Sequence, residues 1–71
     1  MKVEVIERTE EFIILETTAP GLPAKRTSVH IDAIIDGRTT IQEQKKLARE
    51  DGIVRLRRLN AMNAAIAEDD E

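Results

Sequence analysis

His30 and Asp32 are the residues of this 71-residue chain whose types and spacing come nearest to chemistry. On an extended strand, side chains two apart share a face about 7 Å from each other, close enough for a hydrogen-bonded pair or half of a metal site. A metal site needs three or four ligands, and the chain holds a single histidine and no cysteine. The pair therefore reads as an exposed or edge-strand contact. Nucleophilic triads lack a supporting constellation: Ser28 is the only serine, and the threonines are scattered. Gly21, Gly37 and Gly52 do not have the spacing of a phosphate-cradling loop. The acid pairs Glu10-Glu11 and Glu50-Asp51 sit in polar stretches, unlike the apolar surroundings that tune a catalytic acid. These residues point to a non-catalytic protein that needs no cofactor and no metal.

The charge is distributed unevenly. Residues 1–16 carry two basic and five acidic groups, and residues 17–37 balance. Residues 38–60 carry seven basic and three acidic groups, and residues 61–71 carry four acids and no base. Lys45, Lys46, Arg49, Arg55, Arg57 and Arg58 form the core of the basic segment. Such a segment can meet an acidic protein surface, phosphate, or the chain's own Glu68-Asp69-Asp70-Glu71 run. The blander alternative is the solvated face of a helix. The longest apolar run, Phe12-Ile13-Ile14-Leu15, falls far short of the roughly 20 residues a membrane span needs. The first residues lack the apolar core of a signal peptide, which leads to the expectation of a cytoplasmic protein, or a virion component made there.

These groups must be positioned by one small α+β domain covering residues 1–71. Val3, Val5 and Ile6, then Phe12 to Leu15, predict two strands joined through the polar stretch Glu7–Glu11. Pro20-Gly21-Leu22-Pro23 predicts a loop over residues 17–26, a crossover or a binding loop, with Leu22 plugging the edge of the core. Residues 28–35 alternate, with Val29, Ile31, Ala33 and Ile35 on one face, and predict a further strand. Asp36-Gly37 then either closes a hairpin onto a fourth short strand, residues 38–41, or leads into a helix capped by Thr39 or Thr40. Residues 42–67 are rich in helix formers and lack proline. The expected architecture is an antiparallel meander of three or four strands packed on one long C-terminal helix, with an acidic tail over 68–71.

Two apolar stripes run along that helix at about 100° per residue. Ile41, Ala48, Gly52, Leu59 and Ile66, with Leu56 and Met62 beside them, suit the sheet. Leu47, Val54, Ala61 and Ala65 lie roughly 120–160° away and would face water. Both stripes cross Gly52 in phase, which favours one helix, although Asp51-Gly52 is a candidate break. A helix of about 27 residues spans roughly 40 Å, and an eight-residue strand about 27 Å, so one end should overhang. The second stripe predicts a partner seam flanked by the basic residues. The expected function is an interaction or assembly protein, either an oligomer or an accessory subunit of a larger complex. Its size and composition fit a small phage-type structural protein.

Nucleic acid is the alternative partner. The segment Gln44 to Ile53 resembles the first half of a helix-turn-helix, with Ala48 four residues before Gly52 and Ile53 after it. The resemblance implies a small DNA-binding regulator using residues 44–59. The family's next core position falls on Arg58, which departs from the pattern. A third reading is an inhibitor whose acidic tail imitates phosphate.

Overall fold

The computed structural model describes residues 1–69, with side chains described through Ala67. Strands β1 (Lys2–Arg8), β2 (Phe12–Ala19) and β3 (Leu22–His30) form one antiparallel sheet in the order β1-β2-β3. A short helix α1 (Ile31–Ile35) and the long helix α2 (Ile41–Asp69) follow. The α+β architecture expected from the sequence is present, with three strands and no fourth among the described residues.

β2 is central because it carries the most continuous apolar run. Ile13, Leu15 and Thr17 alternate inward and are buried, with Val29 of β3 beside them. The register sets Val5 and Thr27 on either side of Leu15, and Val3 and Lys25 on either side of Thr17. This face meets α2. Glu16, Phe12 and Ile14 point to the opposite face, where Glu16 pairs with Arg26 at 3.2 Å and Phe12 meets the His30 ring edge-on at 5.0 Å. Thr9 closes the first hairpin: its hydroxyl accepts from the Phe12 amide at 2.9 Å, so the polar stretch turns without a glycine.

The loop expected over residues 17–26 is instead two strand ends and a two-residue turn. Pro20 presets the first turn position, and Gly21 supplies the second at φ +79°. Pro23 stays in a strand because β3 lies at the sheet's edge, where a missing amide costs no interior ladder bond. Pro23 and Ala24 together oppose Thr18, a bulge that absorbs the mismatch.

The strand expected over residues 28–35 ends at His30. Its partner β2 begins at Phe12, which already pairs with His30. Beyond that point the backbone has no neighbour to bond, apart from the Ile31 amide reaching the Glu11 carbonyl at 2.9 Å. The chain therefore satisfies its own peptide groups by coiling into α1, and β propensity is overridden. Gly37, at φ +75°, ends α1: the Arg38 amide bonds the Ala33 carbonyl and the Gly37 amide bonds the Ile34 carbonyl. This pair of bonds is a Schellman motif, so Asp36-Gly37 closes a helix rather than a hairpin. Thr40 then caps α2, its hydroxyl accepting from the Glu43 amide at 3.1 Å.

α2 runs unbroken for 29 residues, through Asp51-Gly52 and two residues beyond the expected stop at Ala67. Asp70 and Glu71 lie outside the described residues. Gly52 is buried where α2 crosses β2: a Cβ there would stand 3.4 Å from Thr17 Cγ2 and 2.5 Å from Met1 Sδ. Farther along, Leu59 reaches the Pro20-Gly21 turn. Residues 60–67 then project past the sheet with every side chain exposed. The molecule measures 55 × 19 × 14 Å, and its radius of gyration is 15.7 Å. A compact chain of this length would have about 11 Å.

Candidate interaction surface

Docking on the sheet sorts the faces of α2. Ile41, Gln44, Lys45, Ala48, Gly52, Arg55, Leu56 and Leu59 are buried or half-buried, which fixes the inward face. The first apolar stripe is thus the docked one as far as Leu59. Leu47, Val54, Ala61 and Ala65 all lie in solvent, Leu47 at 56% and Val54 at 45% exposure. Their row is turned about 130° from the docked face, so no rotation of α2 on this sheet covers both.

The basic residues do not form one patch. Lys45, Lys46 and Arg49 line a shallow hollow with Gln42. Arg57 and Arg58 are exposed farther along, Arg58 beside Leu59 and Met62. Arg55 is half-buried and engaged within the chain, with its Nε 3.2 Å from Asp51 Oδ2. That contact is an ion pair out of line for a hydrogen bond, since the buried Nε has no hydrogen-bond partner. Asp51 also accepts from Lys25 Nζ at 3.0 Å, which clamps α2 to β3. The Lys25 hydrogen bond, with the charges of Lys25 and Arg55, holds the Asp51 carboxyl below its ordinary pKa against the opposing effect of desolvation. Among the described residues, Lys45, Lys46, Arg49, Arg57 and Arg58 make no ion pair.

The sequence did not pair Lys25 with Asp51, because the clamp joins residues 26 apart in the chain. The spacing of His30 and Asp32 was visible, but its geometry was not. On the helical turn His30 Nδ1 lies 3.7 Å from the Asp32 carboxylate and accepts from the Asp32 amide at 3.4 Å, a capping role. No group of three or more potential metal ligands comes together among the described residues. The segment that resembles a helix-turn-helix contains no turn: residues 44–59 are continuous α2. Among the described residues, no helix is long and apolar enough to cross a membrane.

A second hollow lies where α2 leaves the sheet. Leu22, Pro23, Arg55, Arg58, Leu59 and Met62 line it, with an apolar floor and two arginines among its walls. Past it, Met62 and Ile66 continue the docked row with 56% and 54% of their surface exposed.

The chain matches no protein-family model, no curated protein and no solved structure.

Proposed function

We propose that this protein is a non-catalytic assembly module that works by presenting one face of α2 to another protein, as an oligomer or as an accessory subunit of a larger complex such as a phage-type particle. The observation that carries this reading is the exposed row Leu47, Val54, Ala61 and Ala65, on a helix whose other face is occupied by its own sheet. Small side chains at Ala61 and Ala65 let a second helix approach closely, and Leu47 and Val54 supply apolar area. Helix-in-groove recognition uses such a row of anchors. Strand addition is disfavoured at both sheet edges. β1 is bulged at Ile6, and β3 carries Pro23 with its bulge, followed by Lys25 and Arg26. Lys46 and Arg57 flank the row, and an acidic surface, such as the N-terminal third of a second copy, complements them.

The test is the mass of the purified chain in solution by light scattering over a range of concentrations, for the native sequence and for Ala61→Glu. The variant places a charge on the row without touching the sheet, so it should lower the mass and leave the circular dichroism spectrum unchanged. An equal mass for both chains refutes the seam. A low-salt gel shift on random duplex DNA tests the competing regulator, since phosphate contacts are strongest there.

A further inference from the structure

We propose that the overhanging end of α2 is a self-association element: two copies pack their overhangs antiparallel, and Ile66 of each enters the hollow lined by Leu22, Pro23, Leu59 and Met62 of the other. This deepens the assembly reading by naming the partner as a second copy. It uses a different face of α2 from the Leu47–Ala65 row, so either contact can fail alone.

Four observations support it. The docked row does not stop where the sheet stops: Leu59, Met62 and Ile66 continue at spacings of three and four, the pattern of a helix-packing seam. Beyond the Pro20-Gly21 turn no described element lies beneath α2 in the layer that the sheet occupied, and residues 60–67 are exposed all round. A second helix running the other way fills that layer. Its own sheet then lies past the end of the first chain's helix, and the two-layer arrangement closes on itself under a two-fold axis.

The charges favour the antiparallel direction. Arg57 and Arg58 stand just before the overhang, and Glu68, Asp69, Asp70 and Glu71 follow it in the sequence. With the axis near Asn63 or Ala64, the arginine end of each copy lies opposite the acidic end of the other. A parallel pair would set like charges together. The antiparallel arrangement also brings basic groups to a helix C-terminus whose acidic sequence opposes the macrodipole.

The surface area agrees. The chain exposes 5381 Å², whereas a compact monomer of its mass exposes about 4,450 Å². The excess, about 900 Å², belongs to the elongated shape, of which the uncovered overhang is a part.

Sedimentation equilibrium tests the proposal with Ile66→Asp, the pair Arg57→Glu with Arg58→Glu, and that pair combined with Glu68→Lys and Asp70→Lys. Ile66 is exposed in the single chain, so its variant keeps the monomer fold, which circular dichroism verifies. Ile66→Asp should weaken association about 100-fold or more. The double arginine reversal should weaken it, and the four-site swap should restore it. A monomeric native chain at every concentration, an unchanged mass for Ile66→Asp, or no recovery in the four-site swap overturns the proposal. If Ala61→Glu lowers the mass and Ile66→Asp does not, the overhang contact fails and the seam stands. The reverse result supports the overhang and removes the seam.

Discussion

Gly52 sits mid-helix on β2, and replacing it tests how closely α2 rests on the sheet. Alanine at an interior helix position is worth about 1 kcal/mol over glycine, because glycine has more backbone freedom to lose. Against that stands the space a Cβ would need. Its distance of 3.4 Å to Thr17 Cγ2 is ordinary contact and costs little. Its distance of 2.5 Å to Met1 Sδ is impossible, but Met1 is a long, flexible side chain already 42% exposed. Swinging that side chain aside forfeits part of its burial, at most about 1 kcal/mol from a residue worth roughly 2 when fully buried. Gly52→Ala should therefore fall within about 1 kcal/mol of the native chain, the two effects nearly cancelling. Gly52→Leu has no such escape, since its branched end must enter β2 beside Thr17. It should cost about 2–3 kcal/mol or more. Urea unfolding followed by circular dichroism, at one fixed protein concentration, measures both. A Leu variant as stable as the Ala variant would show that α2 does not lie on β2 at this point. An Ala variant losing more than about 2 kcal/mol would show that Met1 is a wedge and not a flap.

Other outcomes follow from the same packing. Leu15 is 1% exposed at the centre of the small core, so Leu15→Ala should cost about 3–5 kcal/mol and abolish the cooperative transition at modest urea, or leave it in place if the core lies elsewhere. Gly21 holds φ +79° with Leu59 Cδ2 3.3 Å from where a Cβ would sit, so Gly21→Ala should destabilise by about 1–2 kcal/mol, whereas thermal melts equal to native would contradict the turn geometry. Asp51 is held below its ordinary carboxylate value in the folded chain, so its clamp contributes stability above the unfolded pKa, about 4, and loses it as pH falls through the lower folded value. Asp51→Asn should remove that component of the acid dependence; acid melting curves parallel to native would show the clamp is idle. Added salt should weaken it as well, because both partners are solvent-accessible.

What the sequence disclosed depended on how far apart the deciding residues lie. The α2 phase could be read because helical periodicity is local: Gly52 fell in register with Ala48 and Leu59, and the helix is continuous there. The exposure of Leu47 and Val54 followed from the same periodicity, because one flat sheet covers one face. The end of β3 was not readable, because alternation through Ile31, Ala33 and Ile35 is as regular as any strand. What stops the strand is the pairing of Phe12 with His30, a fact about a segment 18 residues away. Pro23 misled for the same reason: it breaks an interior strand but not an edge strand bearing a bulge, and edge position is a property of the sheet.

The candidate surface inherits this division. Its apolar rows are local and were visible. The Lys25–Asp51–Arg55 clamp crosses from sheet to helix and was not, and it removes Arg55 from the set of solvated cations. That removal bears on function, because it divides the basic segment in two. Lys45, Lys46 and Arg49 stand at the start of α2, and Arg57 and Arg58 stand where the helix leaves the sheet. Two separated cationic sites on a rod suit two protein contacts better than one continuous phosphate track, which would need its charges in a single row. On the proposed reading, the apolar row on the flank and the one on the overhang give the chain two ways to join neighbours. Blocking either one alone should leave a smaller assembly of defined size, not a free monomer.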